Sequence, residues 1–163
     1  MMLERPKNPP DLDLTSGDEP VNPDHHGREM QDLSREECLR LLARCQVGRL
    51  AVALSDGAPV IRPVNYAFDE GSQSVVFRTT DGSKLHGVLR AGEAAFEIDG
   101  VDEGSRTGWS VIVRGVAEEI TNASEARRLD ALGLVPWAPG RKRHWVRIRA
   151  RTVTGRRIAG AAR

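Results

Sequence analysis

Phe77-Arg78-Thr79-Thr80-Asp81-Gly82-Ser83-Lys84-Leu85 is the stretch on which the reading of this chain turns. A strand-like run, Ser74 to Thr79, leads into it, and a helix-like run, Lys84 to Arg90, leaves it. Between them stand two threonines, a glycine, a serine and a lysine. Hydroxyls and backbone N–H groups at a helix start donate to phosphate oxygens, and a lysine supplies charge. A cation in the first turn of a helix opposes the helix dipole, so an anionic partner for Lys84 resolves that conflict. The stretch is not a P-loop, because GxxxxGK[ST] is absent. No GxGxxG follows a strand, and neither GxSxG nor HExxH occurs.

Upstream, Ser34 followed by Glu37 is a capping box. It opens a helix to about Arg44, with Cys38, Leu39 and Leu42 on one face. Strand-like segments follow, joined by tight turns. Leu50 to Leu54 is the first, and Ser55-Asp56-Gly57-Ala58 is a hairpin turn in which Gly57 can take positive φ. Val60 to Phe68 is the second. Pro63 within it removes a ladder donor, so its surroundings are an edge or an opening in the sheet. Asp69-Glu70-Gly71-Ser72 turns the chain into the opening stretch.

Downstream, Glu93 to Asp99 is a fourth strand and Gly100 to Gly108 a polar loop. Trp109 to Thr121 is a long fifth strand, with Gly115 marking a bulge or bend. Asn122 or Ser124 caps a helix to about Leu132. Trp137, between Pro136 and Pro139, reads as the anchor of a Gly/Pro-rich connection. His144 to Thr154 is the last strand. Hairpin-joined strands imply an antiparallel sheet, and about six of them in one domain favour a small barrel. The fold class is therefore mainly β with short helices.

The chain has 163 residues, 39% hydrophobic and 29% charged, enough for one domain with its own core. No apolar run is long enough to span a bilayer, and Met1 to Pro10 carries no apolar signal segment, so the expected location is the cytoplasm. Residues 1–31 are read as a flexible acidic arm, 32–158 as the domain and 159–163 as a tail. His25-His26 lacks further ligands at fixed spacing, and Cys38 and Cys45 form no CxxC, so no metal site is expected. From Arg141 to Arg163 the chain has no acidic residue. A solvated or interface face suits that basic end better than nucleic acid, because no stacking aromatic interleaves except Trp145.

Several segments in order carry a wider pattern. They are Val47-Gly48-Arg49-Leu50, Ile61-Arg62-Pro63-Val64-Asn65-Tyr66, Thr79-x-x-Gly82-Ser83-Lys84, Ala94-Ala95-Phe96-Glu97-Ile98-Asp99 and Trp109-Ser110-Val111-Ile112-Val113-Arg114-Gly115-Val116-Ala117. Together they resemble the pyridoxamine 5′-phosphate oxidase-like family of split-barrel flavin-binding proteins, closest to the branch that includes the nitroimidazole-resistance proteins. The resemblance spans roughly residues 33–154. It implies a six-stranded antiparallel split barrel, a homodimer, and FMN at the dimer interface.

On that resemblance Arg62, Pro63, Val64 and Asn65 line the isoalloxazine and ribityl side, and Arg78, Thr79 and Thr80 contact the ring and phosphate tail. Ser83 and Lys84 grip the phosphate. Trp109 and Ser110 lie near the flavin of the same or the partner chain, with Trp145 and Arg147 as further interface contacts. Ser83 stands where the oxidases carry another basic residue. The implied function is a flavin-dependent oxidoreductase acting on a small molecule. The alternatives are a reductase using the deazaflavin coenzyme, or a non-enzymatic flavin- or heme-binding module. No protein acid or base is assigned to catalysis.

Overall fold

Ser34 and Glu37 cap a helix reciprocally in the computed structural model, which describes residues 29–53, 57–80, 89 and 92–160. The Glu37 N–H donates to Ser34 Oγ at 3.2 Å and the Ser34 N–H to Glu37 Oε2 at 3.0 Å. Helix α1 spans Arg35–Arg44, and its buried residues, Cys38 and Leu42, lie one turn apart. Both enter the core inside the sheet. The Tyr66 hydroxyl donates to the Leu42 carbonyl oxygen at 2.7 Å, which ties the helix end to the sheet. Burial pushes the Tyr66 phenol well above its ordinary pKa.

The strands are β1 (Glu29–Asp32), β2 (Val47–Ala53), β3 (Pro59–Asp69), β4 (Ser74–Thr79), β5 (Glu93–Asp102), β6 (Thr107–Ile120) and β7 (His144–Ala159). They form one antiparallel sheet of seven strands in the order β1-β7-β4-β3-β2-β5-β6, and a further β6–β7 pairing closes it. The closed ring is a six-stranded barrel, with β1 added outside it on β7. Leu50, Val75, Phe77, Phe96, Ile98, Val111, Val113, Val146 and Ile148 fill the interior. With few aromatics available, Tyr66 and Phe96 meet edge-to-face at 4.7 Å between ring centroids.

Gly57 takes φ 83°, as its turn requires. At Gly115 the β6–β7 register shifts, which is the bulge expected there. Cys38 and Leu33 press on Gly155 of β7, where a Cβ would lie 2.6 Å from the Cys38 sulfur, and both cysteines are free thiols. Burial raises the pKa of each, so neither is an activated nucleophile.

Helix α2 (Ala123–Asp130) is capped by Asn122, whose Oδ1 accepts from the Ser124 and Glu125 N–H groups at 2.9 and 3.1 Å. It covers the outer face of the barrel over β4, β6 and β7. There Leu129 packs with Val76, Ile120 and Trp145 in a second apolar cluster. Arg128 on α2 clamps the buried Asp69 at the end of β3 through two hydrogen bonds, 2.9 and 2.7 Å. Hydrogen bonds from Arg128 hold the Asp69 carboxyl down at about 2, against an ordinary value of 3.8. A depressed carboxylate contributes stability above its unfolded-state pKa and loses it as pH falls through the folded one. We expect Asp69 to contribute up to about 2 kcal/mol at neutral pH, at 1.36 kcal/mol per pKa unit, lost between about pH 4 and 2. Urea unfolding at pH 7 and pH 2.5 tests this. Asp69→Asn should lose less stability than the parent over that interval, and equal losses would contradict the assignment.

Three sequence expectations are corrected. Residues 29–31, assigned to the flexible arm, form β1 with Asp32, because β7 outruns β4 and leaves an edge that Glu29–Asp32 completes. The segment Gly100–Gly108 is not a loop. β5 runs to Asp102 and β6 begins at Thr107, and the Asp102 carboxylate closes the turn by accepting from the Gly104 and Ser105 N–H groups. The last strand continues past Thr154 to Ala159, into the segment assigned to the tail. The predicted helix Lys84–Arg90 lies outside the described residues apart from Leu89, which is helical and buried in the barrel.

Candidate functional site

Strands β3 and β4 pair only from Tyr66↔Phe77 to Asp69↔Ser74. Beyond that point β3 continues through Asn65 to Pro59 with β2 alone beside it, and β4 continues through Arg78 and Thr79 with β7 alone beside it. The barrel wall splits there. The open edges of the split carry Arg62, Pro63, Val64 and Asn65 on one side and Arg78, Thr79 and Thr80 on the other. The structure thus brings together the two segments that the sequence singles out. Pro63, which has no N–H to offer a neighbour, sits on the open edge as expected.

Arg62 shares its strand face with Val64 and Tyr66 but is exposed. Its guanidinium donates to the Ile61 carbonyl oxygen at 3.1 Å, and no carboxylate among the described residues pairs with it. Asn65 Oδ1 accepts from the Trp137 N–H at 2.8 Å. Arg78 lies on the outer face, opposite Trp145, with its guanidinium 5.1 Å from the centroid of that ring. Its Nη1 stands 3.7 Å from Asp130 Oδ1, and the same oxygen accepts from the Trp145 indole at 3.1 Å. The Arg78 Nε is buried and has no acceptor among the described residues. A buried donor without a partner costs about 1–3 kcal/mol, so this atom can take an anionic or carbonyl oxygen.

Asp130 is a site residue that sequence reasoning missed. A signal was present: an acidic residue closing a helix opposes the dipole there, which points to a cation nearby. Ser83 and Lys84 lie outside the described residues. Trp109 and Ser110 do not join the split within one chain: β5 and β2 stand between on one side of the ring, and on the other they pair with the far end of β7, at Arg157 and Arg156, beyond the part that pairs with β4. They face Gly100 and Asp99 on β5 and Arg157 and Arg156 on β7. The Trp109 ring lies flat on Gly100, where a Cβ would come within 2.6 Å of the indole nitrogen. A groove of about 640 Å³ runs past Trp109 and Ser110, bordered by Met30, Asp99, Arg156 and Ile158. Trp137 is held through its backbone, and its indole is 71% exposed, so the main chain and not the ring is the anchor.

The basic C-terminal strand is largely neutralised. Arg147 pairs with Glu118 and Glu125, Arg149 with Glu118 and Arg151 with Glu93. Arg156 reaches Asp32 at 3.5 Å and Arg157 reaches Glu37 at 3.6 Å. Hydrogen bonds from Arg147 hold the Glu118 carboxyl below its ordinary pKa. A strand face whose cations already have carboxylate partners is poorly suited to phosphate backbones.

The sequence that forms this barrel matches a known family. Its profile, described as pyridoxamine 5′-phosphate oxidase, matches residues 34–157. The chain belongs to this family. It is 36% identical over 141 residues to the uncharacterized protein Rv0080 of Mycobacterium tuberculosis, covering 83% of this chain and 90% of that one. It is similar to the FAD binding protein of Mycobacterium smegmatis, with 34% identity and a TM-score of 0.67 over 78% of this chain and 97% of that one. A candidate 5-nitroimidazole antibiotic resistance protein of Bacteroides thetaiotaomicron shares the fold, with a TM-score of 0.67 at 12% identity, over 81% of this chain and 89% of that one. In this family member the split between β3 and β4 is the candidate flavin cleft.

Proposed function

We propose that this protein binds a flavin in the split between β3 and β4 and acts as an oxidoreductase on a small molecule, with the flavin as its redox centre. Arg78, on the open edge of β4 with a buried Nε that has no partner among the described residues, carries the reading. Arg62, with no carboxylate partner among the described residues, supplies a second cation for the same cleft. The flavin mononucleotide portion is common to FMN and FAD, and these residues suit that portion. Ser83 and Lys84 would hold its phosphate. When bound, the flavin accepts and returns electrons, and the protein supplies orientation and electrostatics.

The working form in this proposal is a homodimer. Ile61, Ile112, Val101, Ile158 and Met30 are 61, 41, 70, 40 and 61% exposed. The register from β3 through β2, β5, β6 and β7 to β1 puts all five on the outside of the barrel. Large apolar side chains left in water there support a protein–protein contact. Packing two such surfaces together would carry Trp109 and Ser110 toward the partner's cleft.

The redox role is tested by mixing the flavin-loaded protein with a nicotinamide donor and following bleaching of the flavin band, then its return with an acceptor. Bleaching and recovery are expected. A bound flavin that no donor reduces and no acceptor reoxidises would mark a binding module instead. For the phosphate assignment, Lys84→Ala should weaken FMN affinity about tenfold or more with unchanged melting temperature, since a charge-assisted hydrogen bond contributes about 1.5–3 kcal/mol. Unchanged affinity would count against it.

A further inference from the structure

The connection between α2 and β7, residues 131–143, carries features that the flavin cleft leaves unused. It starts beside Asp130, which faces Arg78, and ends at His144, which pairs with Thr79. It therefore borders the exit of β4, where the chain enters the hydroxyl–glycine–lysine stretch. Trp137 projects an indole that is 71% exposed, although Pro136 and Pro139 stiffen the backbone around it. Asn65, on the open edge of the cleft, fixes that backbone through the 2.8 Å bond to the Trp137 N–H. An aromatic ring held in water on a stiff loop is pre-organised to stack on a planar group.

Arg141, Lys142 and Arg143 follow directly. None of the three has an ion-pair partner among the described residues, whereas Arg147, Arg149, Arg151, Arg156 and Arg157 do. Arg143 directly precedes His144, which pairs with Thr79 at the end of β4, so the three cations come to the phosphate end of the cleft. Three uncompensated cations beside an exposed indole match phosphates followed by a base.

We propose that Trp137 together with Arg141, Lys142 and Arg143 forms a subsite for the adenosine diphosphate half of FAD, continuous with the flavin cleft at Asn65 and Thr79. The inference rests on the flavin reading and makes FAD, not FMN, the preferred form. A deazaflavin coenzyme with an anionic tail would use the cations but leave the indole idle. Nucleic acid would need more than a single stacking ring and would meet the neutralised strand beyond His144.

The test is equilibrium titration of the full chain with FAD and with FMN, read by flavin fluorescence, for the parent, Trp137→Ala, Trp137→Phe and the Arg141→Ala/Lys142→Ala/Arg143→Ala triple variant. FAD is expected to bind the parent about tenfold tighter than FMN, the size of a base–aromatic stack. Trp137→Ala should remove that preference, Trp137→Phe should keep most of it, and neither should move FMN affinity more than about twofold. The triple variant should weaken FAD and flatten its salt dependence while sparing FMN. Equal affinity of the parent for FAD and FMN would overturn the subsite alone, as would variants that shift both ligands equally. Binding of neither flavin would overturn the flavin reading and the subsite with it.

Discussion

Gly115→Ala is expected to destabilise the fold by about 3 kcal/mol, toward the upper end of what overpacking costs. A Cβ on Gly115 would lie 1.9 Å from the Arg149 carbonyl oxygen and 2.9 Å from its carbon. Those are backbone atoms of β7, so no side chain can swing aside to relieve the clash. The contact falls where the β6–β7 register shifts, on the pairing that closes the barrel. Relief would mean parting β6 from β7 and opening the ring. Urea unfolding followed by far-UV circular dichroism measures the loss. A change within about 0.5 kcal/mol, the range of an inert surface substitution, would contradict the register drawn here.

Arg78→Ala is expected to lower flavin affinity by about 10- to 100-fold, since a hydrogen bond to a charged group contributes about 1.5–3 kcal/mol. Arg78→Lys should rescue little of it. Lysine has no Nε–H at that depth and no planar group to lie over Trp145, so keeping the charge is not enough. The melting temperature of each variant controls for lost packing on Trp145. Titration with FMN gives the affinities, and a lysine variant equal to the parent would reduce Arg78 to a point charge.

Much of this was legible in the sequence because each signal had a local physical cause. Ser34 and Glu37 are spaced to cap each other, and they do. Pro63 cannot donate to a ladder, and it lies on the open edge of β3. Gly115 marked a bulge because β6 must bend there. That Arg62–Asn65 and Arg78–Thr80 flank one split followed from the β3–β4 hairpin that joins their strands, a short-range relation. What escaped notice depended on contacts far apart in the chain. Residues 29–31 have turn-like, acidic company and no periodicity, yet an edge of β7 supplied from the other end of the chain makes them a strand. Asp130 and Arg78 meet only after α2 folds back on β4. The bond from Asn65 to the Trp137 backbone spans more than seventy residues, and no local pattern announces it. The same holds for Asp69 and Arg128, whose clamp joins the β3–β4 hairpin to α2. Trp109 and Ser110 matched the family's order, but the ring of strands places them away from their own chain's split.

The most direct measurement is titration of the purified, flavin-free full chain with FMN and FAD, followed by flavin fluorescence and visible absorption. The account predicts saturable, stoichiometric binding in the micromolar range or tighter, about −8 kcal/mol or better, with a shifted flavin band. A protein that leaves the fluorescence and absorption of both flavins unchanged at these concentrations would contradict it.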